Sequence, residues 1–195
     1  IGDALHVLFG APSEQPDHSA RAVACALALD AQAQSFRQQC HARGISLGPT
    51  RIGVHAGPAI VGNFGGGRFF DYTAYGDTIN IAARLESANK QLGTRVLASA
   101  AVAARAGEFR GRPVGDLVLR GRSEPIRAFE PMPPECAAAE YAETYRKAFA
   151  MLEAGDPGVL SAFAAHVAAH PDDPLAAFHL KRLLNGAKGT HIALD

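Results

Sequence analysis

The chain has 195 residues, 48% of them hydrophobic, which is enough for one domain with a real core and a smaller appendage. Lys+Arg and Asp+Glu both number 19, so the formal charge is zero. That balance excludes a general nucleic-acid or anionic-membrane binder, which needs a basic excess, and any phosphate site has to be built from a few local residues. The cysteines are Cys25, Cys40 and Cys136. An odd count without CxxC spacing argues against a disulfide framework and a zinc site, and fits a reducing cytosol. No apolar run reaches bilayer length and no signal peptide is visible. The chain begins at Ile1 without a Met and reads as part of a longer protein.

In chain order, Gly2-Asp3 reads as a hairpin turn feeding a buried strand over 4–9. Asp3 on its own is either a turn aspartate or an oxygen ligand for a hard divalent cation. A helix opens at Pro16-Asp17-His18-Ser19 and ends near Gly44. Cys25, Leu29, Ala33, Phe36 and Cys40 recur along it as one apolar stripe, which makes both cysteines core residues. Strands are predicted over 50–56 and 59–64, with Gly57-Pro58 as the turn and His55 as a packed side chain. Gly65-Gly66-Gly67 reads as a flexible link, since no Lys-Ser/Thr follows to make a phosphate loop.

The next stretch is extended and aromatic, turns at Gly76, and continues with helical spacing as far as 89–93. Asp77 or Thr78 is placed to cap this helix. Asn80 and Arg84 are four residues apart and share one helix face. An amide and a guanidinium aimed at the same space suit an oxygen-rich anion such as a nucleotide, because Arg offers a rigid fork of donors to phosphate. Beyond it come a short strand at 95–98, a short helix at 99–106, and closing strands at 109–112, 116–120 and 126–130. Gly121-Arg122-Ser123 would join the last two. Strands alternating with helices and ending in a hairpin suggest a two-layer sandwich.

Pro131-Met132-Pro133-Pro134 reads as a linker. Three apolar stripes follow: Tyr141, Tyr145, Phe149 and Leu152, stopped by Gly155; Leu160, Phe163 and Val167, stopped by Pro171; and Leu175, Phe178 and Leu183, stopped by Gly186. The second, with its Ala-rich face and trailing Pro-Asp-Asp, resembles part of a tetratricopeptide repeat. His166 and His170 have i,i+4 spacing, but no Glu or third ligand accompanies them.

Asp71-Tyr72-Thr73-Ala74-Tyr75-Gly76-Asp77-Thr78-Ile79-Asn80-Ile81-Ala82-Ala83-Arg84-Leu85-Glu86 closely resembles the signature segment of class III nucleotidyl cyclases, the adenylate/guanylate cyclase family. Three further blocks agree in the family's order. They are Ile1-Gly2-Asp3-Ala4-Leu5 with Phe9-Gly10-Ala11-Pro12, Arg51-Ile52-Gly53-Val54-His55-Ala56-Gly57-Pro58, and Gly121-Arg122-Ser123-Glu124-Pro125. The resemblance covers roughly the first two thirds of the chain.

What the resemblance implies is specific. The fold class is α+β: a two-layer α/β sandwich of the nucleotidyl cyclase, ferredoxin-like type, missing its first strand and helices, with a C-terminal α-helical tail. A partial catalytic domain spans 1–130, a Pro-rich linker 131–136, and a tetratricopeptide-like tail 137–195. The family reaction converts ATP to 3′,5′-cyclic AMP and pyrophosphate by attack of the 3′-hydroxyl on the α-phosphorus, assisted by two Mg²⁺ or Mn²⁺ ions. It takes place in a homodimer with active sites at the interface, in the cytoplasm. Asp3 matches a metal ligand, Asn80 the residue that orients ribose, and Arg84 the one that stabilises the transition state. Thr73 lies at the base-contact position, where many members carry Asp. Thr is common there in bacterial members that resemble adenylate cyclases, which implies ATP. Arg120 stands where a Lys often meets the terminal phosphates. The second metal aspartate and the base-selecting Lys should precede Ile1, so this stretch alone is expected to be nearly inactive.

Two other classes compete. One is a non-catalytic cyclase-homology module that dimerises and signals through its tail. The other is a scaffold whose tail binds a partner protein, although the tail's stripes equally suit packing on the cyclase domain.

Overall fold

The structure is a computed structural model and describes residues 4–67, 69–119 and 124–194. Residues 4–9 do not form the predicted strand. Leu5 is 84% exposed, and no described strand pairs with this segment. An extended segment gains a strand's hydrogen bonds only from a neighbour, which is the physical reason for the difference.

Helix α1 (His18–Ala42) forms where predicted, and Gly44 follows its end at φ 76°. Its predicted stripe is not buried as a unit. Cys40 is buried and Cys25 half-buried, but Leu29 and Phe36 are exposed. The buried residues of the helix are instead Ser19, Ala26 and Cys40, and the helix packs beside β1 (Ile52–Val54) and β4 (Val96–Ser99).

Among the described residues β1, β4, β6 (Ile126–Pro131), β5 (Gly111–Val118) and β7 (His191–Ala193) form one mixed sheet in that order. β1 runs parallel to β4, which pairs antiparallel with β6. β6 pairs antiparallel with β5, and β5 pairs parallel with β7. A separate antiparallel hairpin joins β2 (Ile60–Gly66) to β3 (Phe69–Tyr75), from Ile60 opposite Tyr75 to Gly66 opposite Phe69. Gly65 and Gly66, predicted as a link, are therefore strand residues whose backbone groups are paired.

The two strands predicted at 109–112 and 116–120 are one strand, β5, with a register shift between Pro113 and Gly115. Pro113 lacks an amide donor, so a bulge suits it. Gly115 sits at φ 141°, and a Cβ there would lie 2.6 Å from the Thr190 carbonyl. Glycine thus permits the approach of the segment that leads into β7. The predicted 121–123 turn lies outside the described residues.

α2 (Asp77–Leu92) follows β3 and ends at Gly93, φ 73°, a left-handed cap. α3 (Ala100–Ala103) is one turn. Pro131 closes β6, buried Met132 follows, and Pro134 opens α4 (Pro134–Ala137). The three tail stripes become α5 (Glu140–Ala154), α6 (Val159–Ala169) and α7 (Pro174–Leu184). No helix among the described residues is long and apolar enough to cross a membrane.

These tail helices share one core with the sheet. Leu85 and Leu92 of α2, Leu97 of β4, and Val114 and Leu117 of β5 pack in one cluster with Tyr145, Phe149, Phe163 and Leu175. Each such side chain contributes about 1.5–3 kcal/mol on burial. Arg112, 5% exposed, sits at the junction. Its Nε donates to Glu130 at 2.7 Å, its two terminal nitrogens donate to the two Asp173 oxygens, and its guanidinium lies 4.5 Å from the Tyr145 ring centre. Tyr145 in turn donates its hydroxyl to the Pro113 carbonyl at 2.9 Å. Burial opposes the Arg112 charge, but Glu130 and Asp173 outweigh it and hold the group more firmly protonated than usual. Burial also raises the Asp173 carboxyl, yet the Arg112 bonds bring it below the usual carboxylate range.

Two predictions follow from this junction. Arg112→Ala leaves two carboxylates under the tail without their cation, and should cost about 3–5 kcal/mol, read as a lowered midpoint in urea denaturation. His179 of α7 is fully buried beside Tyr145, Phe149 and Phe163. Burial, and then the charge of Arg182, lower its pKa from 6.5 to about 3. Between those values the unfolded chain binds a proton that the folded chain does not. This contribution is therefore complete above the unfolded value and lost as pH falls, by up to about 1.4 kcal/mol per pH unit. His179→Leu should flatten the acid limb of the stability curve in that window, measured by urea denaturation across pH.

Candidate functional site

The candidate site is built where β3 runs into α2. On β3, Ala74 is buried and Thr73 half-buried, while Asp71, Tyr72 and Tyr75 are exposed. Thr73 lies opposite Gly62 of β2. Gly76 then takes φ 143°, a value that side-chain-bearing residues rarely adopt, and the chain turns directly into the helix. Gly76 is itself the N-cap, a position that carries no side chain to cap the helix. The expectation of Asp77 or Thr78 as the cap is thus corrected. Thr78 Oγ1 donates instead to the Pro58 carbonyl at 2.6 Å, because the β1–β2 connection passes beside the first turn.

α2 divides its faces by the helical period. Ile81, Leu85, Ala88 and Leu92 are buried against the sheet and tail. Asn80 is exposed and Arg84 half-buried, one turn apart. Among the described residues Arg84 forms no ion pair or hydrogen bond. Glu86, the carboxylate two positions on, is instead paired with Arg51 at 3.1 Å. Arg84 is therefore not a surface arginine neutralised by its own helix, and its donors are available to a ligand.

The rest of α2 is tied to β1. Asn89, 1% exposed, donates to the Ile52 carbonyl at 3.1 Å and accepts from Thr94 Oγ1 at 2.8 Å. His55, just past β1, is half-buried and lies 2.7 Å from Ser99 Oγ, as a packed side chain should.

Two of the predicted site residues, Asp3 and Arg120, lie outside the described residues. Among the described residues no group of three or more His, Cys, Asp or Glu is gathered to hold a metal ion. This includes His166 and His170. His166 Nδ1 lies 2.9 Å from Thr144 Oγ1 and Nε2 lies 3.1 Å from Asp173, so both ring nitrogens serve the tail. The sequence reading missed the role of Asn89, which it treated only as part of a helix end. The available signal was an amide at the close of an apolar face, next to a C-capping glycine.

A mixed sheet, a β-hairpin that turns through one glycine into a helix, and an arginine one turn from an asparagine on that helix, without an ion pair among the described residues, make up the frame of the candidate site. Comparison with known proteins gives the family. Residues 1–130 match the adenylate and guanylate cyclase catalytic domain, and the chain belongs to that family. It is 39% identical over 130 residues to adenylate cyclase 1 of Rhizobium meliloti, across 66% of this chain and 20% of that protein. Among solved structures it resembles the adenylyl cyclase CyaB from P. aeruginosa, at 30% identity and TM-score 0.57, over 64% of this chain and 65% of that one. It also resembles the guanylate cyclase domain of RhGC from Catenaria anguillulae in complex with GTP, at 28% identity and TM-score 0.51, over 62% and 63%. The chain spans about a fifth of the length of the curated relatives it matches.

Proposed function

We propose that this chain carries much of the catalytic domain of an adenylate cyclase, which converts ATP to 3′,5′-cyclic AMP and pyrophosphate in intracellular, cytoplasmic signalling. The observation that carries this is the pair Asn80 and Arg84, held one turn apart on α2, with Arg84 unneutralised among the described residues. The 3′-hydroxyl attacks the α-phosphorus, and negative charge builds on the phosphoryl oxygens. A fixed guanidinium stabilises that charge without reorganising, which is the largest contribution a side chain can make here. Asn80, with one donor group and one acceptor, orients the ribose. Thr73 meets the base through a hydroxyl that both donates and accepts. Arg120 takes the terminal phosphates.

Two Mg²⁺ or Mn²⁺ ions belong to this function. They would activate the hydroxyl and neutralise the leaving group, and Asp3 is this chain's oxygen ligand for them. The described residues alone do not furnish a metal site. The active unit is a homodimer with nucleotide bound between protomers. The β2–β3 hairpin supports this, because Ile60, Phe70, Tyr72 and Tyr75 are all exposed, at 71%, 64%, 46% and 57%. Ile60 and Tyr75 share one face of the hairpin and Phe70 and Tyr72 the other, and apolar side chains left exposed in this way suit a protein interface. The helical tail over 137–195, joined through 131–136 to the catalytic domain of 1–130, packs on the sheet.

The test is cyclic nucleotide production by the intact protein and by the 195-residue chain, with Mn²⁺ and ATP or GTP. The intact protein should form cyclic AMP in preference to cyclic GMP, and the shorter chain little of either. Arg84→Ala in the intact protein should lower turnover by about 10²–10³-fold. Normal turnover in that variant would remove Arg84 from the chemistry. Nucleotide binding without product would favour a non-catalytic regulatory module.

A further inference from the structure

Helix α2 is held against one short segment, residues 52–58, by three contacts along its length. Thr78 Oγ1 bonds the Pro58 carbonyl at the first turn, and Asn89 bonds the Ile52 carbonyl near the last. Between them the helix backbone rests directly on Gly53. A Cβ at Gly53 would lie 2.0 Å from the Ala82 carbonyl oxygen and 2.4 Å from the Glu86 nitrogen. Those two atoms are the acceptor and donor positions of one i→i+4 helical hydrogen bond, and the turn it closes contains Arg84.

The glycine is not there for backbone freedom. Gly53 is not among the glycines with positive φ, so a side-chain-bearing residue fits its backbone conformation. What it provides is close approach, the usual meaning of glycine inside a strand. The obstructing atoms are main chain, so no rotamer change relieves the contact. Restoring ordinary van der Waals separation would require α2 to move by more than about 1 Å, or its turn at Arg84 to open.

We propose that Gly53 is a positioning residue for the candidate site: it sets the depth of α2 against the sheet, and so the reach of Asn80 and Arg84 toward a nucleotide. Given that nucleotide-directed role of Asn80 and Arg84, on which this rests, one added methyl should act on catalysis more than on binding. The contacts assigned to base and terminal phosphates, Thr73 and Arg120, lie outside α2, so of the ground-state contacts only that of Asn80 to the ribose moves with the helix. The transition-state contact of Arg84 comes from the displaced turn.

The experiment compares wild type, Gly53→Ala, Thr78→Val and Thr78→Ser in the intact protein. Crystal structures of wild type and Gly53→Ala should show 79–86 displaced by about 1 Å or more relative to β1 and β4, and kinetics should show turnover lowered by about 10²-fold with KM within about threefold. Thr78→Val removes the bond to Pro58 with little change of shape and should lower turnover by about tenfold, while Thr78→Ser, which keeps the hydroxyl, should match wild type. Two results would overturn the proposal: an undisplaced helix in Gly53→Ala, or turnover within about threefold of wild type. Should Gly53→Ala fail to fold, the Thr78 pair decides, and equal turnover in both variants overturns it. A wild type that makes no cyclic nucleotide refutes the cyclase function instead, and the crystallographic displacement then decides the positioning role by itself.

Discussion

Arg112 is the point on which the rest of the architecture depends. It carries a full charge at 5% exposure, in a place where an unpaired cation would be costly. It is tolerated because two carboxylates from opposite sides meet it, Glu130 from β6 and Asp173 from the turn before α7. Asp173 also accepts from the Ala176 amide, so the same carboxylate caps α7. One buried guanidinium thereby fixes the start of a helix, the spacing of two strands, and the seat of the Tyr145 ring. Such a pair is a weak source of net stability and a strong source of specificity, since any other docking of the tail strands a charge.

The tail is consequently part of the same folded unit as the sheet. Its helices bury Phe149, Phe163 and Leu175 in the cluster that holds Leu85 and Leu92 of α2. Its last strand, β7, adds to β5 and covers an edge that would otherwise offer unpaired backbone groups. α2 therefore has two duties. Its buried face closes a core shared by both ends of the chain, and its other face presents Asn80 and Arg84. A side chain that must meet developing charge gains from such anchoring, because preorganisation removes the cost of reorienting donors during reaction. The β2–β3 hairpin is the opposite case. It forms its own two-stranded sheet and leaves Ile60 and Phe70 in solvent.

Much of this was legible in the sequence where the determining physics is local. α2 and the tail helices α5–α7 announce themselves through period-3.6 apolar stripes and terminating glycines or prolines. The passage from β3 through Gly76 into α2 was readable for the same reason, as was the shared face of Asn80 and Arg84. Local pattern failed where the outcome depends on a partner. Residues 4–9 have an ideal strand composition but no described strand to pair with. The α1 stripe has the right period, yet Phe36 faces solvent while Ser19 and Ala26 are buried. The bulge at Pro113 and Gly115 looked like a strand break. β7 was missed because three residues carry too little pattern to signal a strand.

The sequence by itself determined the family, through an ordered set of motifs, and the placing of an amide and a guanidinium one turn apart on one helix. These are properties of near neighbours along the chain, and backbone geometry converts their spacing directly into direction. Only the tertiary structure decided where that helix stands. The burial of Arg112 between Glu130 and Asp173, the pairing of β7 with β5, and the contact of Gly53 with the turn around Arg84 all join residues far apart in sequence. No spacing encodes such contacts. They exist because close packing favours an arrangement that fills the core and pairs the buried charge of Arg112, and that condition is satisfied by the whole chain at once.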